Sequence, residues 1–436
     1  MARLVGPSTP DRHLHKRNGF YTYKRRVPSS VAGFDSRSPI IRIALGTSDI
    51  GEARLKRDAY ERADDLFWAS LCEGGDQAAA EARYKSTLAR ATALGFTYRH
   101  LPSILLEESG SAILARLRAV QDIKPASAEE TAILGGISLP RASVRRALEV
   151  YINEISASDL VLKSAGQRKL WTQTKTRAVD TFEKVCGAMD IEDIKREDAR
   201  KFYKWWLEKI APHPKDGKPT HSADSGNRQI GNMRVLYRSY FEHMGQQDFS
   251  NPFEGLAFAD KRSNTRPPFP DGWIETRILA PGALAGLNDE ARGIVCALVE
   301  TGCRPSEIIN LTANQIMLDD PIPHIKVETR YDVDDPREIK TRSSIREVPL
   351  VGISLEAMKK FPKGFPRYKD KENTFSAAAN KYLLENGLRP TKRHVVYSLR
   401  HSFERRAKDA KLDTEMRMML MGHLIDRPNY GEGGVT

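Results

Sequence analysis

Apolar positions recur along this chain at two periods. Over most of its length they fall three and four residues apart, as on one face of a helix; in a few short regions they alternate with polar residues, as in half-buried strands. Near the N-terminus, after a basic leader with His13, His15, Lys16 and Arg17, the aromatic run Phe20 to Val27 and the alternating run Ile40 to Leu45 predict two strands of a small sheet. Asp49 then caps a helix, with Glu52 completing a capping box and Ala59, Tyr60, Ala63, Leu66 and Phe67 forming its apolar face. Residues 70–140 read as helical and carry no motif.

From Ser143 the helical period strengthens. Val144, Leu148, Tyr151, Ile152 and Ile155 share one face; Asp198 caps a helix with Ala199, Phe202, Tyr203, Trp206 and Ile210 inward and Arg200, Lys201 and Lys204 outside. A further helix from about Arg228 turns Ile230, Met233, Tyr237, Tyr240, Phe241 and Met244 inward, lines its other side with Arg228, Arg234 and Arg238, and stops at Gly245. Residues 260–272, rich in proline, break every period and predict an extended linker. Beyond them a helix through Ile294, Leu298 and Val299 stops at Gly302, and Pro305 suits the first turn of the next helix, fixing Arg304 at the joint with Glu307 three residues on to orient its guanidinium. Ile322 to Val327, Arg337 to Thr341 and Ile345 to Leu350 read as short strands, with Lys340 on or beside a hairpin tip. In the next helix Leu399, Phe403, Ala407 and Ala410 form the buried face, while Tyr397, Arg400, His401 and Glu404 crowd the neighbouring one. A Met-rich helix from Thr414 ends at Gly422, immediately before His423.

The fold class that follows is mainly α with small β-sheets. A small N-terminal sheet-and-helix domain (1–70), a helical linker region (71–140), a helical domain (141–259), the linker (260–272) and an α+β domain (273–436) divide the 436 residues. Lys and Arg number 69 against 57 Asp and Glu, a formal charge of +12 with a pI near 9.4, which points to a polyanionic partner, nucleic acid first. The basic strand residues Lys24, Arg25 and Arg26 suit a ribbon in a DNA groove, and the basic helix faces suit phosphate contacts. No apolar run nears the roughly 18 residues of a membrane span, and Met1 to Leu4 opens no signal peptide, so a cytoplasmic, nucleoid-associated protein is expected. Cys72, Cys186, Cys296 and Cys303 have no paired spacing and read as reduced thiols.

The polar residues placed at element ends, in order, are Arg304, Lys340, Arg400, His401, His423 and Tyr430. Two arginines, a lysine, histidines and a tyrosine without a carboxylate cluster suit phosphodiester transfer without a metal. Guanidinium forks hold non-bridging oxygens, a lysine protonates the departing oxygen, and an oriented phenol attacks phosphorus.

Here the sequence resembles the tyrosine recombinase (phage integrase) family. Thr301-Gly302-Cys303-Arg304-Pro305-Ser306-Glu307 is similar to that family's first-arginine box, Lys340-Thr341 with Arg346-Glu347-Val348-Pro349-Leu350 to its lysine hairpin, and Leu399-Arg400-His401-Ser402-Phe403 to its second-arginine box; Met421-Gly422-His423 and Tyr430-Gly431 follow. The resemblance implies a core-binding (SAM-like) domain at 141–259, an arm-type or accessory DNA-binding domain at 1–70, and a catalytic domain at 273–436. It implies a site-specific recombinase, the integrase of a mobile element, in which Tyr430 forms a 3′-phosphotyrosyl intermediate on a double-stranded attachment site. Arg304, Arg400 and His423 would stabilise the transition state and Lys340 would protonate the leaving oxygen, with Glu307 and His401 in support. A homotetramer on two DNA sites, accessory DNA-bending or directionality proteins, and no cofactor or metal belong to the same implication. The family usually has histidine where this chain has Tyr397, and its interval to the nucleophile is usually longer than that from His423 to Tyr430. Two other readings stand beside it: a type IB topoisomerase-like enzyme, and a DNA-binding regulator that has lost catalysis.

Overall fold

The computed structural model describes residues 10–424 except 33, 34, 36, 73–76, 126, 138, 214, 216, 247, 248 and 260–265. The chain forms two compact units: residues up to Ile155 with Lys175–Phe258, and Ser156–Thr174 with the residues from Ala259 onward. Among the described residues the fold is mainly helical with two three-stranded antiparallel sheets, the class expected from the periodicities.

The first unit opens with β1 (Leu14–Arg17), β2 (Phe20–Arg26) and β3 (Ile40–Ala44), paired in that order. β1 lies in the stretch read as a leader; its polar sequence hides a strand that exists because Leu14 and Lys16 pair opposite Tyr23 and Tyr21. Alternation turns Tyr23, Arg25, Ile41 and Ile43 toward α1 (Ile50–Cys72), against a core of Tyr23, Val27, Ile41, Leu45, Tyr60 and Trp68. Asp49 caps α1, accepting from the Glu52 N–H at 2.7 Å, but the Glu52 carboxylate takes the Thr47 hydroxyl instead of closing the capping box. α2 (Gln77–Ala93), α3 (Leu101–Glu107), α4 (Gly110–Val120) and α5 (Ala128–Leu134) continue the unit, so residues 77–134 are packed helices with caps at Ser109 and Ser127. α6 (Val144–Val150) runs on as a wider turn to Ile155.

α7 (Ala157–Leu160) and the start of α8 (Ala165–Cys186) belong to the second unit, and the rest of α8 to the first. There α9 (Arg196–Ile210) and α10 (Ala223–His243) close a core of Val144, Leu148, Phe182, Phe202, Trp206, Ile230, Met233, Tyr240 and Phe253. Both helices start earlier than periodicity suggests. Asp198 sits inside the first turn of α9, where its carboxylate takes the Lys195 N–H at 2.9 Å, and Ser222 caps α10. Polar first turns have no apolar residue to announce them.

The second unit continues with α11 (Asp289–Val299), α12 (Pro305–Ile309), β4 (Ile316–Met317), β5 (His324–Val327), β6 (Arg346–Pro349), α13 (Gly352–Lys360), α14 (Glu372–Glu385), α15 (Ser398–Asp409) and α16 (Thr414–Met421). Its core joins Ile294, Leu298, Ile308, Ile325, Val348, Phe365, Phe375 and Leu399. The expected strand at Arg337–Thr341 is absent: only an isolated bridge pairs Arg330 with Arg337, and β4 fills the third place in the sheet. The backbone of Arg337 keeps only that bridge, while its side chain is held by Asp370 and Glu372. Within the stretch read as linker, Phe269 is buried and its N–H donates to the Ser402 hydroxyl at 2.8 Å, so residues 266–269 lie along α15. The prolines keep that backbone extended, which suits a strap as well as a spacer.

Candidate active site

Arg304, at the start of α12, and Arg400, in the first turn of α15, are far apart in sequence and meet at the C-terminal end of α16. Arg400 is 2% exposed and donates to the carbonyls of Gly302 (2.6 Å) and Met421. Arg304 donates to Ser344 Oγ at 3.0 Å and reaches the Gly422 carbonyl at 3.5 Å. A third guanidinium, Arg346 from β6, donates to the Leu420 carbonyl at 2.8 Å. Three successive carbonyls, the unsatisfied end of a helix, are thus each met by a different arginine. Gly422 allows this: its φ is +60°, and a Cβ there would lie 2.8 Å from the Arg346 guanidinium.

All three arginines share Glu307. Its carboxylate accepts from Arg304 at 2.6 Å and Arg346 at 2.9 Å and stands 4.0 Å from Arg400. Burial opposes its ionisation, but Arg346 and Arg304 outweigh that and hold its pKa below the usual carboxylate range. Arg400 goes the other way: burial, then the nearby Arg304 charge, lower its pKa from the ordinary guanidinium value. One carboxylate facing three guanidiniums leaves the pocket strongly cationic, and each bond placed on Glu307 orients a guanidinium.

His423 follows Gly422, with its Nε2 at 3.1 Å from Arg400 Nη2. Since a guanidinium can only donate, Nε2 accepts and the proton sits on Nδ1. Burial and then Arg400 lower its pKa, which keeps the ring neutral; burial does the same for His401, whose Nδ1 is 4.0 Å from Glu404. Tyr397 is half-buried, 5.4 Å from the His401 ring, with the Arg266 guanidinium 4.9 Å from its own ring. Lys340 is exposed and lines, with Arg304 and Glu307, a cleft of about 440 Å³. Tyr430 lies outside the described residues.

The other candidate residues separate by environment. Lys24 and Arg26 stand with Arg42 on the sheet face away from α1, whereas Arg25 is turned inward, bonded to Asp65 (2.6 Å) and the Glu61 carbonyl (3.0 Å) over the Trp68 ring. Lys201 and Lys204 are exposed on α9. Arg228 and Arg238 form exposed ion pairs with Asp224 and Glu254. Arg234 braces the following loop, donating to the carbonyls of Phe253 (3.1 Å) and Leu256 (2.7 Å). Sequence reasoning gave Arg346 no role, although its place in an alternating strand beside buried Val348 was a signal. It also passed over Ser164-Ala165-Gly166-Gln167, a capping box in plain sequence: the Ser164 N–H donates to Gln167 Oε1 at 2.9 Å and the Gln167 N–H to Ser164 Oγ at 3.2 Å.

Residues 13–71 match a family model described as a domain of unknown function, DUF6538. No curated protein matches the sequence. Among solved structures, the Tn1549 transposon integrase in complex with transposon right end DNA is similar at 17% identity, over 64% of this chain and 91% of that one, with a TM-score of 0.43. A lambda integrase dimer bound to a COC′ core site is similar at 13% identity over 98% and 94% of the two chains, with a TM-score of 0.45. The recombinase XerA is similar at 14% identity over 64% and 90%, with a TM-score of 0.29. By its motifs, the chain resembles the tyrosine recombinases.

Proposed function

We propose that this protein is a site-specific DNA recombinase, the integrase of a mobile element, that cleaves and rejoins double-stranded DNA through a 3′-phosphotyrosyl intermediate. The observation that carries this reading is the pocket at the end of α16, where three guanidiniums share one carboxylate beside a neutral imidazole, with an exposed lysine lining the cleft that Arg304 and Glu307 share. Such a surplus of buried positive charge calls for an anion, and a scissile phosphate supplies one. Arg304 and Arg400 would turn part of their donor capacity from backbone carbonyls to the non-bridging oxygens. The Tyr430 oxygen would bond phosphorus as the bond to the 5′-oxygen breaks, with the phenolic proton passing to one of the neutral imidazoles, His401 or His423, and an ammonium proton of Lys340 ending on the 5′-hydroxyl. Tyr382 is no rival nucleophile: its hydroxyl donates to the Ala283 carbonyl and accepts the Gly286 N–H. The exposed lysines of α9 and the outer face of the N-terminal sheet would contact duplex phosphates, and strand exchange would engage four protomers on two sites.

A nicked suicide substrate tests the reading. Wild type is expected to form a denaturant-resistant protein–DNA adduct, and Tyr430→Phe none. Binding without an adduct in the wild type would make the protein a DNA-binding regulator, and relaxation of supercoiled DNA without recombinant products would make it a topoisomerase.

A further inference from the structure

Lys340 has no strand to hold it, yet the loop that carries it is fastened on both sides. On the C-terminal side, Thr341 Oγ1 lies 2.9 Å from Ser344 Oγ, which accepts from Arg304. On the N-terminal side the fastening comes from the first turn of α8. Gln167 pairs its side-chain amide with the peptide of Glu338, Nε2 donating to the Glu338 carbonyl at 2.6 Å and Oε1 accepting the Glu338 N–H at 3.2 Å. The same Oε1 accepts the Ser164 N–H, so one amide closes the α8 capping box and clamps the loop two residues before the lysine.

Neighbouring contacts keep that turn in place. Lys163 forms an ion pair with Glu338, Ser164 Oγ donates to Asp370 Oδ1 at 2.6 Å, and Arg337 bridges Asp370 and Glu372 at 2.5 Å each. Gly166 is pressed so closely on Asp370 that an added Cβ would lie 2.7 Å from that residue's Cβ. Lys163, Gly166, Gln167 and Leu170 line the same cleft as Arg304 and Lys340.

We propose that Gln167 is a positioning residue for Lys340, placing its ammonium at the departing 5′-oxygen from outside every motif that carries the chemistry. The proposal rests on the recombinase reading, in which the P–O5′ bond breaks as the Tyr430 oxygen bonds phosphorus and a Lys340 proton ends on the 5′-oxygen. A misplacement of about 1 Å at such a group slows the step by up to about 10²-fold.

The test compares single-turnover cleavage of two nicked substrates, one with the ordinary 5′-oxygen and one with sulfur in that bridging position. A free thiol ionises at about pH 8.5, so sulfur departs as a thiolate and needs no proton from lysine. Gln167→Ala is expected to cleave the oxygen substrate about 10- to 10²-fold more slowly than wild type and the sulfur substrate at the wild-type rate. Lys340→Ala should show the same pattern more strongly, and the double variant should be no slower on oxygen than Lys340→Ala alone. Gly166→Ala, which forces the α8 turn away from Asp370, should behave like Gln167→Ala. Equal losses on both substrates, or no loss on either, would overturn the positioning role while leaving the recombinase reading intact. Failure of sulfur to rescue Lys340→Ala would remove the lysine as the acid, and the proposal with it.

Discussion

At Tyr397 a phenol stands where the resembling family has imidazole, and its surroundings say what it can do. With the Arg266 guanidinium against one side of the ring and His401 nearby, it can be held for donation of a hydrogen bond, but a phenol is a poor proton acceptor near neutrality. Tyr397→Phe is therefore expected to slow single-turnover cleavage by about 10²-fold or somewhat less, and Tyr397→His to recover much of the loss; wild-type cleavage by the Phe variant would make the ring a packing element. His401 and His423 carry the pH dependence. Both pKa values are lowered, so the neutral form persists below the ordinary value of about 6.5. Cleavage should accordingly stay level as pH falls to about 6.5 and decline only beyond it, when the proton-accepting ring is lost. A decline already complete at neutral pH would contradict the lowered pKa values of these rings.

At the scale of elements, β6, α12, α15 and α16 are tied through Glu307 and Arg346, beside the apolar core that β6, α12 and α15 share. Arg346 and Glu307 have side chains 6% and 8% exposed, and removing one partner strands the other's charge in the interior. Arg346→Met should destabilise the protein by about 3–5 kcal/mol, read from urea unfolding, and Arg346→Lys by less, since it keeps a charge for Glu307 but cannot reach the Leu420 carbonyl in the same bond. Unchanged unfolding of the Met variant would show that the tie contributes nothing net. Gly422→Ala should weaken cleavage out of proportion to DNA binding, because the Cβ would push the Arg346 guanidinium and the Ser344 backbone from the turn that presents His423.

For the whole molecule, the distinction is between cations that face solvent and cations that hold the fold. Replacing Lys201 and Lys204 with Ala should flatten the dependence of log affinity on log salt by about 0.9 for each phosphate that is no longer neutralised. Arg234→Ala should instead lower stability and leave that slope alone, since its guanidinium is committed to two carbonyls. Cleavage should continue in excess chelator, because the carboxylate nearest the pocket, Glu307, is already bound by arginines. Loss of cleavage in chelator with binding intact would point to a metal-dependent nuclease.

Local chemistry in the sequence determined most of the elements and the joints where candidate site residues stand. Helical periodicity located the buried faces of α9, α10 and α11, because burial of one face is a local pattern, but in α15 it placed Arg400 outside and Ala410 inside, where the structure buries Arg400 and exposes Ala410; Pro305 and Gly422 marked the joints where Arg304 and His423 stand, because backbone restriction is local too. Only the tertiary structure decided which cations face solvent. Arg25 and Arg234 look like Lys24 and Arg238 in sequence, yet the first two are bonded inward by partners that sequence spacing does not reveal. It also decided that three arginines from different elements converge on one carboxylate, and that Gln167, 171 residues from Glu338, holds the lysine loop. Hydrogen bonds between distant side chains and backbone leave no period in the sequence, and that is why these ties became visible only in the folded chain.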